Sequence, residues 1–162
     1  MASVIDLSGI IVDDWLPYDR FALQGAAQRV LVTSSDLDRY PRYFERALFE
    51  LGVDLQPDEA IEDIARWIPR LKLVRLNFSA FADGRAFSQA RLLRERFAYR
   101  GDIRAHGEVL RDQLAFMQRC GINQFDLAAG EDPELALAAF ADISVSYQPE
   151  LSTPALDRVA NG

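Results

Sequence analysis

Cys120 is the only cysteine in this 162-residue chain. A single thiol excludes an internal disulfide, and it excludes a self-contained iron–sulfur cluster, which normally takes four protein thiolates or close substitutes. Any such cluster would belong to a partner. Histidine is as scarce: His106 stands alone, with no second histidine or thiol at metal-ligand spacing, so no metal site is read. No apolar run approaches the roughly 18 residues that a membrane span needs. The opening MASVIDLSGIIVDDW lacks a basic region and a cleavage signal, so the expected compartment is the cytoplasm. There is no GxGxxG, no Walker loop, no low-complexity tract, no long linker and no fixed-period repeat.

What is present suits one core. Hydrophobic residues make up 49% of the chain, and chains of this length usually stop short of splitting into two domains. The expectation is one α/β domain over residues 1–150, with 1–28 as an N-terminal arm or edge hairpin and 151–162 as a flexible tail. The net charge of −7 is unevenly spread. Residues 1–84 carry nine basic and 14 acidic side chains, 85–111 seven arginines against three acids, and 112–162 two against eight, or −5, +4 and −6. An acidic protein with a basic middle does not suit a nucleic-acid backbone, but it suits a small anion or an acidic protein patch.

Apolar, β-branched runs alternate with helical patterns along the chain. Arg29–Thr33, Gly52–Leu55, Leu71–Phe78, Asp102–His106, Gln124–Leu127 and 143–147 read as strands. Helices are predicted near Tyr43–Leu51, from Pro57 to Pro69 with Ile61, Ile64, Ala65 and Ile68 inward, over Ala86–Tyr99, over Val109–Arg119 and from Asp132 to Phe140. In the third of these Ala86, Ala90, Leu93 and Phe97 form an apolar stripe, and Arg100-Gly101 is the expected stop. This rhythm predicts a mostly parallel sheet of repeated βα units with helices on both faces, open and doubly wound. A complete eight-fold barrel needs about 250 residues, so the alternative is a partial TIM-barrel-like βα array.

In an open sheet of this kind ligands bind beyond the carboxyl ends of the strands. Asp83-Gly84-Arg85 follows the Leu71–Phe78 strand and opens a helix, offering backbone N–H groups, a turn and a guanidinium suited to planar oxyanions, with Ser88 in the first turns. His106-Gly107-Glu108 follows the next strand and should emerge on the same rim as Asn77 and Arg85, while Arg111 begins the next helix. The expected binding rim is therefore Asn77, Asp83, Gly84, Arg85, Ser88, His106 and Arg111, holding a small anion such as sulfite, phosphate or carboxylate. Against it stands a simpler reading: an Asp-Gly turn, a hydrogen-bonded surface histidine and a solvated row of arginines. Cys120, beside Phe116 and Met117 near a helix C-terminus, reads as a packing residue.

Four segments carry a family resemblance: Asp13-Asp14-Trp15, LNFSAFADGRAFSQARLLRERF from Leu76, GEVLRDQLAFMQRCG from Gly107 to Gly121, and FADISVSYQ from Phe140 to Gln148. Together they resemble the bacterial DUF934 family. The resemblance implies a role in assimilatory sulfur metabolism, assisting sulfite reduction as an oxidoreductase component, with sulfite reductase or its electron donor as partner. Electrons would come from a bound cofactor or that partner, because no side chain here carries them, and the cofactor is not legible. Two rivals fit the same residues. In one the protein is a non-enzymatic docking module whose basic helix, through Arg91 and Arg94, sits on an acidic face of the reductase or its electron donor. In the other it is a barrel-like isomerase or lyase for a small phosphorylated metabolite, by analogy of fold.

Overall fold

The computed structural model describes residues 3–19, 29–79 and 84–141. The expected strand at 143–147, the tail at 151–162 and Asp83 lie outside the described residues. Eight strands form one sheet: β1 Val4–Asp6, β2 Gly9–Ile11, β3 Leu16–Pro17, β4 Arg29–Thr33, β5 Glu50–Leu55, β6 Leu71–Phe78, β7 Asp102–Gly107 and β8 Gln124–Asp126. Their order across the sheet is β2-β1-β8-β7-β6-β5-β4-β3. From β3 to β8 every neighbouring pair is parallel, whereas β1 pairs antiparallel with both β8 and β2. The sheet is mixed, with a parallel run closed by an antiparallel hairpin.

That order never reverses along β3 to β8, so there is no switch point and the doubly wound expectation is corrected. Consecutive crossovers of one hand put their helices on one side. Burial agrees. Val30 and Val32 of β4, Leu51, Val53 and Leu55 of β5, Val74, Leu76 and Phe78 of β6, Ile103 and Ala105 of β7, Phe125 of β8 and Ile5 of β1 all join one core cluster. Every described helix that buries apolar side chains adds them to that same cluster, so none of these packs on the opposite face, and the prediction of helices on both faces is not met. The alternating residues point to a helix-free face.

The sheet is curled into a half-barrel, and connectivity requires it. Strands β2 and β3 are its two opposite edges, yet only residues 12–15 separate Ile11 from Leu16. A flat eight-stranded sheet would hold its edges about 33 Å apart. Five Cα steps reach at most roughly 18 Å. Residues 12–15 therefore form a strap across the open side of the curl, over the helix-free inner face.

The helices follow local sequence. α1 (Ser34–Arg39) starts in a capping box in which Thr33 is the N-cap and Asp36 the reciprocal N3 partner, so Asp36 caps from inside the helix. α2 (Pro41–Glu45) ends early, and the chain enters β5 at Glu50, where the sequence suggested helix to Leu51. Ile61–Arg70 is a 3-10 helix whose three-residue period buries Ile61, Ile64 and Trp67 in a row, with Ile68 beside them; Trp67 replaces Ala65 on the predicted inward face. α3 (Arg85–Glu95) buries Ala86, Ala90 and Leu93 as the stripe predicts, but it ends before Phe97, and the left-handed residue after it is Ala98 at φ 51° rather than Gly101. A short 3-10 turn, Arg111–Gln113, leads into α4 (Leu114–Arg119), and α5 runs through 133–141. Cys120 is buried in the core. No helix among the described residues is long and apolar enough to cross a membrane.

Candidate functional site

The inner face is polar where the outer face is apolar. Strand register sets Thr33, Asp54, Arg75, Arg104 and Gln124 side by side across β4 to β8, and one residue pair further along it sets Asn77 beside His106. Continuing the β7–β8 register places Asp126 next to His106 on the same face. These positions lie toward the carboxyl ends of the parallel strands, where half and whole βα barrels carry their chemistry.

Asp54 is the hub. Arg75 grips it with both arms of the fork, Nε to Oδ1 at 3.2 Å and an Nη to Oδ2 at 2.8 Å, and His106 Nε2 lies 3.2 Å from Oδ1. The side chains of Asp54 and His106 are 17% and 18% exposed, so the pair is sheltered but reachable. Burial alone would push the Asp54 carboxyl up. The hydrogen bonds from His106 and Arg75 and the charges behind them outweigh it and hold the group at about 2.

Arg104 is 2% exposed and donates to Gln124 Oε1 at 3.0 Å and to Asp13 of the strap at 2.9 Å. The strap's Trp15 lies against Gly52 of β5, where an added Cβ would stand 2.8 Å from the indole ring, so only glycine leaves room for that ring. Asp126 has the opposite character to Asp54. Its Oδ1 is buried without a hydrogen-bond partner. Burial, reinforced by the Asp13 charge, raises its carboxyl against the pull of Arg104, His106 and Arg75. Two carboxyl groups on one face are thus shifted in opposite directions, Asp54 down and Asp126 up.

Of the residues picked from sequence, the fold brings Asn77 and His106 together as register partners on this face, and Asn77 Nδ2 donates to Gln56 Oε1 at 2.9 Å. Gly107, at φ 98°, lets its backbone pass close to β6, and Glu108 N donates to Phe78 O at 2.6 Å. Gly84, Arg85 and Ser88 are exposed at the start of α3, and Arg111 is exposed in the turn after β7. They share the strand-end rim, but no hydrogen bond or ion pair among the described residues ties them to the Asp54 cluster. Arg91 stays exposed, its guanidinium 5.8 Å from the Phe116 ring centroid. Arg94 turns inward and donates to the carbonyls of Tyr99, Gly101 and Gly121.

Sequence reasoning passed over Asp54, Arg75, Arg104, Gln124, Asp126 and the strap Asp13. For Asp54, Arg75 and Arg104 the signal was a charged residue at one alternating phase inside successive buried strands, GVDL, LKLVRLNF and DIRAHG. A buried strand tolerates such a charge only when a neighbour answers it. Among the described residues no three His, Cys, Asp or Glu side chains group as metal ligands.

No curated protein matches the chain. A family model described as a bacterial protein of unknown function, DUF934, runs from within β5 past β8 and takes in Asp54, Arg75, Asn77, Arg104, His106, Gln124 and Asp126, while Thr33 and the strap lie before it. Because that match runs over residues 52–156, well over half of the sequence, the chain belongs to the DUF934 family.

Proposed function

We propose that this protein serves assimilatory sulfur metabolism by assisting sulfite reduction, and that it does so by binding a small oxyanion on the inner face of the half-barrel. The observation that carries this reading is the convergence of Arg75, Arg104 and His106 on one sheltered surface at the strand ends. Guanidinium groups in a low-dielectric site favour oxyanions. Arg75 offers an Nη1 that makes no hydrogen bond to a described residue, and Asn77 adds an amide beside it. Arg85, Ser88 and Arg111 stand on the approach. Electron transfer, if the protein takes part in it, requires a cofactor or partner reductase. A deletion strain tested on sulfate, sulfite or sulfide as sole sulfur source checks the pathway. Rescue by sulfide alone, restored by wild type and not by Arg75→Met, is the expected pattern; growth on sulfite without the gene contradicts it.

A second reading is docking without catalysis, onto sulfite reductase or its electron donor. It is favoured by the exposed α3–α4 surface, where Arg91 lies over Phe116, itself 45% exposed, since arginine and aromatic residues are enriched at interfaces. Arg94 is engaged by three carbonyls and would contribute only structure to that surface. Pull-down of the reductase at low and moderate salt, with wild type and Arg91→Glu, tests it; unchanged capture by the variant contradicts docking.

A further inference from the structure

We infer that the inner face is a proton-transfer site for small 2-oxo acids, with His106 as the base, Asp126 as the acid and Asp54 as the residue that positions His106. The inference rests on the reading above only in taking the inner face as a site for a small anion. It needs neither sulfite nor a redox partner.

Asp54 is an ionised carboxylate, so the His106 nitrogen facing it carries the hydrogen. Nε2–H donates to Oδ1, which leaves Nδ1 as the ring nitrogen free to act as the base. Nδ1 has no hydrogen-bond partner among the described residues. Arg75 keeps Asp54 charged through its forked contact, so the orienting group stays an acceptor. On the adjoining strand Asp126 carries a carboxyl whose Oδ1 is buried without a hydrogen-bond partner, and that burial shifts the group upward against the pull of Arg104, His106 and Arg75. Neighbouring groups whose environments separate their proton affinities are how one site holds a base and an acid together.

A 2-oxo acid fits this arrangement. Its carboxylate takes the spare Nη1 of Arg75. Nδ1 of His106 removes a proton from the carbon next to the carbonyl, the C–H electron pair becomes the C=C bond, and Asp126 gives its proton to the carbonyl oxygen. The product is the enol, His106 holds one proton and Asp126 has lost one. Reversal restores both groups, so atoms and electrons balance without oxidant or reductant.

The test uses the untagged 162-residue chain, whose single imidazole gives one assignable signal. Pyruvate and 2-oxobutyrate in D2O are followed by proton NMR for exchange at C3, and the imidazole nitrogens are read by nitrogen-15 NMR. Wild type is expected to exchange C3 hydrogens roughly a hundredfold faster than buffer, with His106→Gln and Asp126→Asn at the buffer rate. Asp54→Asn should lower exchange and release the Nε2–H tautomer into a mixture, a change that a merely structural role would not produce. Near-UV circular dichroism confirms that each variant is folded; a variant that is not is replaced by His106→Asn or Asp126→Ser. Wild-type exchange at the buffer rate, or an Nδ1–H tautomer, overturns the inference. Pyruvate or sulfite shifting the inner-face signals without exchange would sink this inference and leave anion binding standing, whereas no shift would remove both.

Discussion

Asp13 reaches across the open side of the curled sheet to Arg104, 91 residues further along the chain, and meets its guanidinium at 2.9 Å. The two ends of this pair differ: Arg104 is 2% exposed and Asp13 41%. Removing the acid leaves a buried cation with only Gln124 to answer it directly. Asp13→Ala should therefore cost about 2 kcal/mol. The adjacent pair Asp14–Arg29 is exposed on both sides, at 58% and 43%, and Asp14→Ala should stay within roughly 1 kcal/mol of wild type. Urea unfolding of the two variants measures the contrast; equal costs would mean that the strap pair contributes no more than a surface ion pair.

Gly52 is the strap's seat. A Cβ there would lie 2.8 Å from the Trp15 ring and 3.2 Å from Leu73 Cβ, and a larger side chain must displace the indole. Gly52→Val is expected to destabilise by roughly 1–3 kcal/mol and to increase Trp15 exposure. Thermal unfolding together with acrylamide quenching in a Trp67→Phe background reads both effects. A stability change without any change in quenching would place the strain elsewhere.

Acid titration should show the two carboxyl groups with opposite signs. Asp54 falls from an ordinary 3.8 to about 2 on folding, so folding favours its ionised form. That contribution, about 2 kcal/mol, is complete above pH 4 and disappears as pH drops toward 2. Asp126 is raised, so the folded state binds its proton more tightly than the unfolded chain does, and the stability this adds is lost as pH rises above its ordinary value. Asp54→Asn should flatten the acid limb of the stability curve, whereas Asp126→Asn should be more stable than wild type at pH 7. Chemical denaturation at a series of pH values checks both, and a steep acid limb in Asp54→Asn would rule out the hub assignment.

Gly107 combines a left-handed φ of 98° with no room, since a Cβ would stand 2.6 Å from Phe78 O and 2.9 Å from Asn77 Oδ1. Gly107→Ala should cost roughly 1–3 kcal/mol and shift the neighbouring imidazole. An unchanged melting temperature with an unchanged His106 signal would show that the β6–β7 approach is not tight.

Much of the fold could be read from spacing. The strand Leu71–Phe78 and the Ala86, Ala90, Leu93 stripe announce themselves because burial on one face imposes their period. The handedness of the whole could not be read, since a βαβα rhythm is the same for an open doubly wound sheet and for a curled, singly wound one. What decides is the strand order, and here a four-residue strap joining opposite edges leaves only the curled answer. The site was half legible. His106 and Asn77 end their strands beside turn residues and invited notice, and Arg85 does follow a strand at the same end of the sheet. Asp54, Arg75 and Arg104 were hidden inside apolar runs, where their meaning depends on which strands become neighbours.

We place the functional surface, as proposed above, on the inner face around Asp54 and not at the start of α3. Titration of the nitrogen-15-labelled protein with sulfite, following backbone amides, tests it most directly. Shifts are expected at residues 54, 75–77 and 104–106 and are lost in Arg75→Met. Shifts confined to 84–88, with the inner face unmoved, would contradict it.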